Sequence, residues 1–84
     1  MNINVTTKFN IGDTVHTIYH YEEYWCVEHD EFIVQEIRIA RSLSGTYIIY
    51  VLKNGAYSTQ CPEEYCFDSY DSAKAWCLQK NDDA

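Results

Sequence analysis

Apolar and polar positions alternate along most of the first sixty residues, then change to a helical period near the end. Thr14-Val15-His16-Thr17-Ile18-Tyr19-His20 is rich in β-branched and aromatic residues and follows the turn Ile11-Gly12-Asp13, which predicts a strand. Tyr24–Val27 predicts a second, short strand, and Glu28-His29-Asp30-Glu31 has the polar chemistry of a turn. Phe32–Ile39 resumes a strand, in which the period of two sets Ile33, Ile37 and Ile39 on one face. Arg41–Gly45 reads as a loop and Thr46–Leu52 as a strong strand. Asn54-Gly55 supplies the central pair of a type I′ hairpin, so Ala56–Thr59 is expected to return antiparallel. Ser69 then caps a helix over residues 70–80, whose inner face carries Ala73, Trp76 and Cys77 at helical spacing. Asp71 near its start and Lys80 near its end suit the helix dipole. The expected fold is α+β and mainly β: a small antiparallel curled sheet or partly open barrel of four to five strands with one C-terminal helix.

With 84 residues and no linker, repeat or low-complexity tract, residues 1–84 form a single domain, with 1–8 and 81–84 expected to be flexible ends. A core this small gives marginal stability, so a metal or cross-link would help. A hydrophobic fraction of 46% and eight tyrosines, three phenylalanines and two tryptophans exclude a disordered tail. Met1–Lys8 lacks the charged start and apolar run of a secretory leader, and no stretch is long enough to cross a bilayer, so a cytoplasmic location is expected.

The charge pattern bears on partners. Net charge is −7, and all thirteen Asp and Glu residues lie in 1–36 and 62–84, flanking a middle that holds Arg38, Arg41 and Lys53. Such a surface repels nucleic-acid phosphates and favours a basic protein partner, although acidic charge also serves solubility. Tyr21, Glu22, Glu23 and Tyr24, with Glu28, Asp30 and Glu31, form the candidate partner-binding set, because tyrosines anchor interfaces and carboxylates select Lys or Arg.

Four cysteines and three histidines suggest metal. Cys26-x2-His29 and Cys61-x4-Cys66 supply two pairs for structural Zn²⁺, with His16, His20 or Cys77 as substitutes for His29. In a reducing cytosol this reading competes with small packed thiols and surface histidines, and in an oxidising compartment with disulfides. The helical phase of Cys77 places it in the core. A catalytic Cys26–His29 pair is disfavoured because Glu28, Asp30 and Glu31 oppose a thiolate and no oxyanion loop accompanies it, so no enzyme activity is expected.

Phe9-Asn10-Ile11-Gly12-Asp13-Thr14-Val15, Trp25-x-Val27, Phe32-x-Val34-x-Glu36-Ile37, and Cys66-Phe67-Asp68-Ser69 leading to Ala73-Lys74 resemble small SH3-like proteins of Firmicutes and their phages. The likeness spans residues 8–78 and implies an SH3-like fold. In size, acidity and possible zinc ligation the chain is also similar to type II-A anti-CRISPR proteins, which inhibit a Cas nuclease by occupying its basic surfaces. That resemblance implies a non-enzymatic inhibitor that blocks DNA targeting. A phage or bacterial structural or adaptor domain with no nuclease target is the alternative.

Overall fold

The computed structural model describes residues 5–82, so the expectations for 1–4 and 83–84 lie outside the described residues. Six strands run as β1 (Thr14–Tyr21), β2 (Tyr24–Val27), β3 (Phe32–Ser42), β4 (Gly45–Asn54), β5 (Tyr57–Pro62) and β6 (Cys66–Phe67), followed by the helix α1 (Tyr70–Asp82). All pairings are antiparallel, in the order β2-β1-β3-β4-β5, with β6 paired to β1. The chain leaves β5 through a 3-10 turn at Glu63–Tyr65, and β6 then pairs back onto β1, curling the sheet without closing it. This is the mainly β, helix-terminated α+β fold expected from the sequence, with β6 added as a two-residue strand too short to leave a periodic signal.

Two core clusters divide the molecule. Phe9, Val15, Phe32, Val34, Tyr50, Leu52, Cys61 and Cys66 fill the curl of the sheet. Ile18, Ala73 and Cys77, with Trp25, Val27, Phe67 and Trp76 packed around them, join α1 to the β1–β2 hairpin. Ser69 caps the helix as expected: its Oγ accepts the Ser72 N–H at 3.1 Å. At the other end Asn81 Oδ1 accepts the Trp25 N–H at 2.8 Å and its Nδ2 donates to the Trp25 carbonyl at 3.1 Å. A single helical side chain thus covers backbone groups that the outer strand β2 would otherwise leave open. Lys8 is also tied down, its N–H donating to Glu63 and its ammonium to the Cys66 carbonyl.

Two local expectations are corrected. The register shifts between Val34 and Glu36, and this bulge reverses the side-chain phase of β3. Phe32 and Val34 therefore face the core, Ile33 is exposed, and Ile37 is turned inward only after the bulge, while Ile39 lies 50% exposed. In the β4–β5 hairpin Asn54 pairs with Tyr57, so Gly55 and Ala56 are the central residues and only Gly55 has positive φ, at 59°. Asn54 stays in the strand and its Nδ2 donates to the Glu31 carbonyl at 2.9 Å.

Candidate functional site

The β1–β2 hairpin has two unlike faces. Cross-strand pairs share a face, so Ile18, Val27 and Trp25 pack toward α1, with the exposed His20 beside Trp25 on that face, whereas Tyr19, Tyr21, Tyr24 and Cys26 point the other way. On that outer face Tyr19 is 42% exposed, Tyr21 61% and Tyr24 58%. The carboxylates lie at the two ends of β2. Glu22 and Glu23 form the hairpin tip, and Glu28, Asp30 and Glu31 belong to the loop before β3, about 15 Å further along a strand rising some 3.3 Å per residue.

The distal loop is held by the fold. The Glu28 N–H donates to the Thr17 carbonyl at 2.8 Å, and Asn54 fixes the Glu31 backbone as described. His16 Nε2 approaches Glu31 Oε2 at 3.9 Å, and the fully exposed His29 ring faces Asp30 at 3.3 Å. The hairpin tip is tighter. Tyr21 pairs with Tyr24, leaving Glu22 and Glu23 as a two-residue turn in which Glu22 has φ 54°, a conformation that suits glycine. The ion pairs among the described residues use Asp30, Glu31 and Glu36, so the Glu22 and Glu23 carboxylates remain available to a partner.

An acidic side chain at a position that favours glycine has a measurable consequence. Relief of the left-handed conformation is worth about 1–2 kcal/mol, against about 0.4–1 kcal/mol for the added freedom of an unfolded glycine. Glu22→Gly is therefore expected to raise stability by about 0.5–1 kcal/mol and the melting temperature by a few degrees in a scanning calorimeter. A melting temperature that stays level or falls would show that the turn carries no such strain.

The thiols fall into separate environments. Cys61 lies near the end of β5 and Cys66 opens β6, both buried in the sheet core. The hydrogen bond from Cys66 draws the Cys61 thiol below its ordinary pKa, while the same contact, reinforced by burial, pushes Cys66 up and keeps it protonated. The Pro62 carbonyl, 3.5 Å away, is a further acceptor for Cys66. Cys26 lies on the tyrosine face and His29 projects into solvent, so of the four residues assigned to zinc only Cys61 and Cys66 are brought together. Among the described residues no three His, Cys, Asp or Glu side chains gather in a metal-holding group. Cys77 is buried on the inner face of α1, in the position its helical phase predicts.

The feature that sequence reasoning missed is a cleft of about 400 Å³ between β1, the 28–31 loop and β5. Tyr19, Glu28 and Asp30 line one side and Tyr57, Thr59 and Gln60 the other. Its walls come from segments some forty residues apart, so no local pattern could announce it. Among the described residues no helix is long and apolar enough to cross a membrane. Comparison with family models, curated proteins and solved structures finds no match.

Proposed function

We propose that the chain is a non-enzymatic protein-binding inhibitor, an anti-CRISPR that lays its acidic tyrosine face on a basic surface of a type II Cas nuclease and blocks DNA targeting. The observation that supports protein binding is the outer face of the β1–β2 hairpin, where three exposed tyrosines lie between carboxylates at both ends. Tyrosine provides large contact area at low entropic cost, and flanking carboxylates steer and orient a basic partner. The resemblance to small acidic anti-CRISPR proteins supplies the target. Direct nucleic-acid binding is no part of this function, since a chain of net charge −7 repels phosphates. Zinc is also left out of the binding step, because recognition rests on Tyr21, Glu22, Glu23, Tyr24, Glu28, Asp30 and Glu31. Native mass spectrometry of the purified chain decides its metal content independently.

Reversing the five charges at Glu22, Glu23, Glu28, Asp30 and Glu31 to lysine is expected to weaken binding to a purified type II Cas nuclease at least about tenfold. Wild-type binding should also fall as salt rises from about 50 to about 200 mM, since screening shortens the reach of the acidic face. Equal affinity of the reversed variant would discard this face. A wild-type chain that binds no such nuclease would leave the adaptor reading in its place.

A further inference from the structure

The curled sheet is left open along β5. Among the described residues this strand pairs only with β4, and in a two-residue hairpin the closing pair Asn54/Tyr57 exchanges hydrogen bonds, as do alternate pairs after it. Leu52/Thr59 and Tyr50/Cys61 therefore carry the ladder, and the N–H and C=O groups of Ser58 and Gln60 point away from β4. Both residues are exposed, and no backbone hydrogen bond from outside the ladder reaches them among the described residues. The free edge borders the 400 Å³ cleft, across which stand Thr17–Tyr19 of β1 and the Glu28 and Asp30 carboxylates. Its floor is apolar, formed by the buried Ile18, Phe32 and Cys61, with the Tyr57 ring 6.2 Å from that of Phe32.

We infer that this seam is a strand-insertion site, taking an extended basic segment of a partner protein that pairs with the backbone of Ser58 and Gln60. An unpaired edge supplies affinity through main-chain hydrogen bonds, and the side-chain pockets beside it supply selectivity. Alternate residues of the guest strand face the cleft, where Glu28 and Asp30 select lysine or arginine and Tyr19 and Tyr57 cover the aliphatic stems. The inference rests on the proposed basic protein partner and names the element of that partner that is gripped.

The probe is the peptide (Lys-Val)4, with (Glu-Val)4 as its charge-inverted control, followed by amide exchange and chemical shifts of the whole chain. The basic peptide is expected to slow exchange of the Ser58 and Gln60 amides at least about tenfold, and the acidic one to leave them unchanged. Gln60→Pro removes an N–H that the β4 ladder does not use and is tolerated at a sheet edge, so it should retain the fold and weaken the peptide about tenfold or more. Glu28→Gln with Asp30→Asn leaves the backbone intact and should weaken the same peptide while flattening its salt dependence. Shifts confined to residues 21–24, or equal affinity of Gln60→Pro and the wild type, would overturn the inference. So would concentration-dependent protection of Ser58 and Gln60 without peptide, which would make a second copy the occupant. Glu22→Lys with Glu23→Lys should reduce nuclease binding and leave peptide protection unchanged, which separates failure of the seam from failure of the inhibitor reading.

Discussion

Trp25→Ala is expected to destabilise the chain by about 3 kcal/mol and to release α1 from the β1–β2 hairpin before the β3–β4–β5 meander opens. Trp25 is only half-buried, but its ring centroid lies 4.8 Å from His20, 5.4 Å from Tyr65 and 5.1 Å from Trp76. Removing it opens a hole in the smaller core cluster, in which Ile18, Ala73 and Cys77 are the buried members among the described residues. A domain of this size is stabilised by only about 5–15 kcal/mol in total, so the loss is a large fraction. Asn81, whose amide bridges both backbone groups of Trp25, loses its fixed partner when that strand moves. Urea melts give the size of the effect and amide exchange its location. A cost below about 1 kcal/mol, or equal loss of protection in α1 and β4, would show that the helix does not dock through this ring.

The two clusters also mark what the sequence disclosed and what it withheld. The helix was legible because Ser69, Ala73, Trp76 and Cys77 fall at capping and core spacings, and local rules suffice to place them. β4 was legible because its β-branched and aromatic content is unbroken. The inward face of β3 was not, because a bulge beside Gln35 reverses the alternation and nothing in Phe32–Ile39 announces an unpaired residue. Position of the β4–β5 turn was misread by one residue for a similar reason: Gly55 satisfies the first central position alone, freeing Asn54 to hold the 28–31 loop. For the candidate site, the exposed Tyr21 and Tyr24 could be named from their place beside a turn. That Tyr19 shares their face depends on the Tyr19/Cys26 register, and the basic-strand seam depends on a topology that leaves β5 open. The spacing of Cys61 and Cys66 marks them as a close pair but not as core residues, because the 3-10 turn that carries both into the core leaves no periodic signal.

At neutral pH Tyr50→Phe is expected to cost about 2–3 kcal/mol, and the difference from wild type should vanish as pH approaches 12. Tyr50 is fully buried and sits between two partners: its oxygen accepts the Phe9 N–H at 3.1 Å, and its O–H donates to Glu63 Oε2 at 2.6 Å. Loss of the hydroxyl leaves a buried amide without an acceptor and removes a charge-assisted bond, each a costly omission. Burial, aided by the Glu63 carboxylate that receives its proton, pushes the Tyr50 pKa from 10.0 up to about 12, with the Phe9 N–H pulling weakly the other way. Between these values the folded chain retains a proton that the unfolded chain releases, so stability contributed by Tyr50 is complete below pH 10 and falls as pH rises. A rise from 10.0 to about 12 corresponds to about 2.7 kcal/mol, comparable to the whole neutral-pH effect of the substitution. Cys66 and Cys77, whose pKa values are also raised, lose stability in the same direction but in both proteins alike, so they cancel in the comparison. Urea melts of the two chains at pH 7, 10 and about 11.5 make the test. A gap that stays constant over that range would show that the Tyr50 proton is not what couples the N-terminal segment, β4 and the 3-10 turn.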